Sequence, residues 1–303
     1  MKSSFCNLFV VSLFMLLLAC ETKKTQGGKL KIVTTTGMIA DGVKNIVGNH
    51  AEVISLMGAG VDPHLYKATQ GDIQKLSEAD IIVYNGLHLE GKMADVLHKL
   101  AKKKTVIAVA DGIAPSKFRK LSATTMDPHI WFSAVLWKDA MAFTASKIAT
   151  KDTLNAKEYR SNTEKYLKAL DELNLWAHTE ILQIPQNQKI MITAHDAFGY
   201  FGDEYGIHVR GLQGISTVTE FGLKDITDLV SYIVANKVKA VFVESSVPTR
   251  SIDAVVVGCK AKGHGVKIGG TLYADAMGAD GTPEGTYIGM VKSNVAKIVN
   301  GLK

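Results

Sequence analysis

Asp-Pro-His occurs twice in the chain, in Val61-Asp62-Pro63-His64-Leu65-Tyr66 and in Met126-Asp127-Pro128-His129-Ile130-Trp131-Phe132. In both copies an aliphatic and then an aromatic residue follow. Proline locks its own φ and pushes the residue before it into an extended conformation. The histidine therefore leaves a stiff backbone with its direction largely set. That suits a metal ligand, which gains affinity from being held in place before the metal arrives. One copy alone reads as an ordinary turn. Two copies 65 residues apart, each closing a strand-like segment and a loop, point to ligands.

Two more candidates stand at the ends of apolar, β-branched runs. His195 follows Ile192-Thr193-Ala194, and Asp275 follows Leu272-Tyr273-Ala274. His195 could instead cap the next helix or satisfy a core hydrogen bond, and Asp275 could be an N-cap or turn residue. Glu244, in Val243-Glu244-Ser245-Ser246, could orient a ligand imidazole from behind. It could equally hold a helix start or face an internal arginine. Together His64, His129, His195 and Asp275 form a nitrogen and oxygen donor set suited to one divalent ion: zinc, manganese or iron. Such ligands must be deprotonated, so affinity is expected to fall as the histidines protonate near pH 6. His50, His88, His98, His178, His208 and His264 lack this placement and read as surface or core histidines.

The elements that must position these residues alternate between strand and helix. Strands are expected at 30–35, 51–57, 81–84 and 105–110, with helices at 38–47, 71–78 and 90–102. A loop over 112–126 leads to the second Asp-Pro-His, and a helix over 135–149 follows it. Residues 156–184 contain no glycine or proline, and Pro185 stops the run. At 1.5 Å per residue this is roughly 40 Å of helix, longer than one lobe needs, and it reads as a strut. The β-α pattern then restarts, with strands at 189–193, 207–212, 240–243 and 266–272 and helices at 198–205, 224–236, 251–261 and 287–302. Repeated β-α-β argues for mostly parallel sheets covered on both faces. In such sheets ligands bind beyond the carboxyl ends of the strands. Each half supplies two candidate ligands, so a metal would sit between two lobes. The expected organisation is an N-terminal lobe over 29–134, a helical segment over 135–185 and a C-terminal lobe over 186–303.

Residues 1–19 read as a secretory signal, with Lys2 ahead of an apolar run from Leu8 to Leu18. Leu17-Leu18-Ala19-Cys20 resembles a bacterial lipobox, which implies cleavage before Cys20 and lipid attachment there. Residues 20–28 then form a polar tether. With Cys20 lipidated, only Cys259 is left as a free thiol in the mature chain, which excludes an intrachain disulfide and a cysteine metal site. The net charge of +6 would permit binding to nucleic acid or anionic lipid. The lysines are scattered apart from short clusters at 102–104 and 117–120, so no nucleic-acid surface is expected.

The two Asp-Pro-His segments, Thr193-Ala194-His195-Asp196-Ala197-Phe198 and Val243-Glu244-Ser245-Ser246 resemble the metal-binding lipoproteins of bacterial ABC importers. The resemblance is to the TroA-like branch of the zinc/manganese solute-binding family. Gly211-Leu212-Gln213-Gly214-Ile215-Ser216-Thr217, Asp275-Ala276-Met277-Gly278 and Gly285-Thr286-Tyr287 carry it further. It implies two pseudo-Rossmann lobes joined by one long backbone helix, with one metal buried between them on His64, His129, His195 and Asp275. It also implies a monomer at the cell envelope that delivers zinc or manganese to an ABC permease with its ATPase. Zinc importers of the family often carry a His/Asp/Glu-rich loop before the second ligand. Ser116-Lys117-Phe118-Arg119-Lys120 stands there in this chain, against strict zinc specificity.

The expected function is metal capture and delivery without chemistry. A zinc hydrolase with Glu244 as base is the rival from another class. Against it, Asp275 would fill the fourth coordination position, and no His-Glu-x-x-His helix is present. Cell adhesion is a weaker rival, for which the sequence offers no specific support.

Overall fold

Strands β1 (Leu30–Thr34), β2 (Ala51–Ser55), β3 (Ile81–Tyr84) and β4 (Thr105–Ala108) build the first sheet. Its order is β2-β1-β3-β4, and every neighbour is parallel. Strands β5 (Ile190–His195), β6 (His208–Gln213), β7 (Ala240–Glu244) and β8 (Lys267–Leu272) repeat the pattern as β6-β5-β7-β8. This computed structural model describes residues 28–303. The expected signal, cleavage site and Cys20 lie outside the described residues.

The central strands are apolar on both faces because helices cover both faces. All five residues of Ala240–Glu244 are buried. Helices α1 (Gly37–Val47), α2 (Gln70–Glu78) and α3 (Ala94–Ala101) serve the first lobe. Helices α4 (Ala134–Lys151) and α5 (Ala156–Ile181) follow as an antiparallel pair. The second lobe carries α6 (Gly199–Tyr205), α7 (Leu223–Ala235), α8 (Arg250–Ala261) and α9 (Tyr287–Leu302). The two-lobed parallel α/β architecture expected from the sequence is the one observed.

Most expected boundaries shift by a residue or two, and three of the shifts are instructive. The helix expected from Glu90 starts at Ala94, after a 3-10 turn over Gly91–Met93, because the Glu90 carboxylate is used to clamp the preceding loop. The strand expected to Ala110 ends at Ala108 and passes into a 3-10 turn. The long helix ends at Ile181 rather than 184.

Helix α5 has 26 residues, about 39 Å of rise, and links the lobes. It is not a bare strut. Its buried face, Tyr159, Tyr166, Leu170, Leu173 and Ile181 among others, joins one core with Val43 of α1, Trp137 of α4 and Ile298 of α9. The same cluster reaches Ile32 in the first sheet and Phe242 in the second. Trp137 stacks on Tyr287 with ring centroids 5.2 Å apart. The lobes are therefore joined by shared apolar burial as well as by the covalent chain.

Candidate metal centre between the lobes

The four candidate ligands stand at or beyond the carboxyl ends of four strands. His64 lies beyond β2, His129 beyond β4, His195 ends β5 and Asp275 follows β8. All four are buried, at 4, 0, 0 and 1% exposure. One donor atom from each lies within 4.8 Å of every other. The His64 and His129 Nε2 atoms are 3.3 Å apart. Asp275 Oδ2 is 3.3 Å from His195 Nε2 and 3.7 Å from His64 Nε2, and its Oδ1 is 3.5 Å from His129 Nε2. A tetrahedral ion with bonds of about 2.0–2.2 Å spaces its donor atoms about 3.3–3.6 Å apart. These four spacings, 3.3–3.7 Å, lie close to that frame. His195 Nε2 and both Asp275 oxygens make no hydrogen bond. Buried polar atoms ordinarily have partners, and a cation at their common centre would satisfy all three at once.

Two imidazoles are aimed by carboxylates. Asp127 Oδ1 accepts from the His129 backbone N–H at 3.0 Å and from its ring Nδ1–H at 2.8 Å. Glu244 Oε1 accepts from the His195 backbone N–H at 2.9 Å, while Oε2 accepts from its ring Nδ1–H. With the proton fixed on Nδ1, the neutral ring presents its Nε2 lone pair to the centre. Glu244 thus stands where a ligand-orienting group is expected; it neither starts a helix nor faces an arginine. Asp62 works differently. Its Oδ1 accepts from the His64 backbone N–H at 2.8 Å, and its Oδ2 accepts from Thr217 Oγ1 of the second lobe at 2.6 Å.

Sequence reasoning missed Asp127. The signal was within the motif, since an Asp two residues before a His can reach both its N–H and its ring. It also missed Glu90, which is buried and accepts from Asn85 N at 2.7 Å, Thr35 Oγ1 at 2.7 Å and Gly86 N at 3.3 Å. Asn85 Nδ2 then donates to Pro128 O at 3.0 Å, which supports the second Asp-Pro-His from beneath. Trp131 Nε1 donates to Ala274 O at 3.0 Å, tying the His129 loop to the Asp275 loop. On β6, a Cβ at Gly211 would lie 2.5 Å from Asp196 N and 2.6 Å from His195 C, so glycine lets that strand close on the His195 turn.

Electrostatics depart from the expected titration near pH 6. Burial, the largest effect on His64, drives its imidazole down to about 4 against the charge of Asp275. Burial also disfavours charge on His195, but Glu244 and Asp275 outweigh it and hold this imidazole well above its ordinary value. Burial would raise Asp275, yet the charge of His195, aided by His129 and His64, holds its carboxyl far below the ordinary range. One uniform histidine titration is therefore replaced by two opposed ones. The other histidines sit elsewhere: His50 pairs with Glu158 at 2.8 Å, for example, and His264 Nε2 lies 2.8 Å from Val238 O.

Residues 32–301 match the family model described as zinc-uptake complex component A, periplasmic. The chain belongs to this family. Among its relatives, the manganese-binding lipoprotein MntA of Bacillus subtilis is 49% identical over 281 residues, 92% of each chain. The zinc-binding protein TroA of Treponema pallidum is 43% identical over 275 residues, covering 91% of this chain and 89% of TroA. The solved structure of periplasmic TroA superposes with a TM-score of 0.89, over 91% of this chain and 99% of that one. As a member of the zinc-uptake component A family, the chain is placed among solute-binding transport proteins.

Proposed function

We propose that this protein captures one divalent metal ion between its lobes, on His64, His129, His195 and Asp275, and delivers it to an ABC permease. The observation that carries the reading is the convergence of four buried donor groups within 4.8 Å of one another, two of which, His195 Nε2 and the Asp275 carboxylate, have no hydrogen bond at the centre. Glu244 orients His195 and Asp127 orients His129. The chain performs no chemistry on its cargo. A hydrolase needs an open coordination position and a base facing it. Here both Asp275 oxygens point at the histidine nitrogens. Glu244 lies behind His195, bonded to its Nδ1 and its backbone.

Zinc and manganese are both accommodated. Three imidazoles and one carboxylate oxygen make a tetrahedral zinc site. A bidentate Asp275 would raise the coordination number toward what manganese prefers. Zinc stands above manganese in intrinsic affinity for such donors. A competition titration is expected to show both ions binding, with zinc tighter. Displacement of zinc by manganese at equal concentration would overturn the order.

The anchor is Cys20, with residues 20–28 as the tether. Residues 29–134 and 186–303 are the lobes, and 135–185 the helical segment between them. Lipid on Cys20 would supply the membrane attachment; none of the described helices is long and apolar enough to cross a membrane. Cys20→Ala should release a folded protein from membranes; retention after a high-salt wash would contradict lipid anchoring.

A further inference from the structure

Arg119 belongs to the loop between β4 and α4, yet its side chain ends against the second lobe. Its Nη1 donates to Asp203 Oδ2 of α6 at 2.7 Å. Its Nε stands 3.5 Å from Asp127 Oδ2. Its backbone N–H donates to the Tyr200 hydroxyl at 3.1 Å, and that hydroxyl donates to the Asp127 carbonyl at 3.0 Å. Asp127 is fully buried. Its Oδ1 is occupied by His129, while Oδ2 makes no hydrogen bond and has the guanidinium as its ion-pair partner. A buried carboxylate without a cation is costly, so the arginine offsets a charge that the site itself requires.

The packing around this contact leaves room for nothing else. A Cβ on Gly199, the first residue of α6, would lie 2.6 Å from Arg119 Nε and 2.8 Å from Asp127 Oδ2. Any side chain there would displace the guanidinium or the carboxylate. The planar fork of arginine can face two carboxylates at once, which the single ammonium of lysine cannot reproduce.

We propose that Arg119 is a positioning residue for the metal site. It holds Asp127 against His129 while anchored on the opposite lobe at Asp203, so the direction of the His129 ring depends on the contact between the lobes. This rests on the reading of His129 as a ligand.

The test titrates zinc and cobalt(II) into the mature protein and into Arg119→Met, Arg119→Lys, Gly199→Ala and His129→Ala. Arg119→Met is expected to weaken zinc binding roughly 10–100-fold, the range for groups that orient metal ligands. It should also shift the visible absorption bands of bound cobalt, because the His129 ring turns. Arg119→Lys should recover part of the affinity and leave the bands displaced. Gly199→Ala keeps every charge and should still shift the bands. Wild-type affinity and spectrum in Arg119→Met and Gly199→Ala, with binding lost in His129→Ala, would overturn the role of Arg119 and leave the site reading intact. Wild-type binding in His129→Ala would overturn the site reading itself. Weaker binding with an unchanged cobalt spectrum throughout would also overturn the proposal, since that is the mark of general destabilisation. Should Arg119→Met fail to fold, Arg119→Lys and Gly199→Ala decide by the same criteria.

Discussion

Glu244 grips His195 at two points: one carboxylate oxygen accepts from the backbone N–H at 2.9 Å, and the other accepts from the ring Nδ1–H. Both residues end neighbouring parallel strands, β7 and β5, so the sheet itself sets this pairing. The imidazole cannot turn without breaking a contact that its own backbone shares.

Glu244→Gln removes the charge and keeps the shape. Metal affinity is expected to fall roughly 10–100-fold, with folding retained. Calorimetric titration beside a thermal melt checks this. Affinity within twofold of wild type would show that the carboxylate is not needed to orient the ring.

Proton release on metal binding follows from the opposed histidines. In the metal-free protein His195 is raised well above its ordinary value, because Glu244 and Asp275 outweigh its burial, so it gives up a proton less readily than a free imidazole. His64 is the opposite case, because burial drives it down to about 4. Metal binding at neutral pH should therefore release a proton, and affinity should rise with pH. Calorimetry in buffers of different ionisation enthalpy measures the proton directly, and zero release would contradict the assignment. The sign for stability differs between the two groups. His64 is lowered, so the unfolded chain binds more protons between pH 6.5 and about 4, and its contribution is lost as pH falls through that window. His195 is raised, so its contribution is present below 6.5 and is lost as pH rises through its folded value.

Lobe movement is expected to be small. The core runs unbroken from Ile32 through α5 to Phe242, and packed interiors resist continuous deformation. Trp131 to Ala274 and Asp62 to Thr217 add hydrogen bonds across the cleft. Solution scattering with and without metal should give the same radius of gyration within error. A drop of several ångströms would show a wide closure that this core does not allow.

Much of this was legible in the sequence, for physical reasons that can be named. The parallel sheets announced themselves through short β-branched runs alternating with amphipathic stretches, and two of the candidate ligands through proline-stiffened repeats. His195 and Asp275 were singled out as candidates by their position at strand ends, and the fold brings them together with His64 and His129. The support beneath the ligands was not legible. Glu90 read as a helix start, because nothing local shows that its carboxylate turns back onto Asn85 and Thr35. Arg119 read as one member of a basic cluster, because its partners Asp127 and Asp203 meet only in the folded chain. Helix α5 read as a strut, because its periodicity shows a buried face but not that both lobes share it.

The central claim is that four residues hold the metal. Calorimetric zinc titration of the wild-type protein and of His64→Ala, His129→Ala, His195→Ala and Asp275→Ala tests it most directly, with His88→Ala and His208→Ala as controls. The account predicts one ion per chain, binding strongly weakened in each of the first four variants, and near wild-type binding in the two controls. Equal losses at all six positions, or undiminished binding in any of the first four, would contradict it.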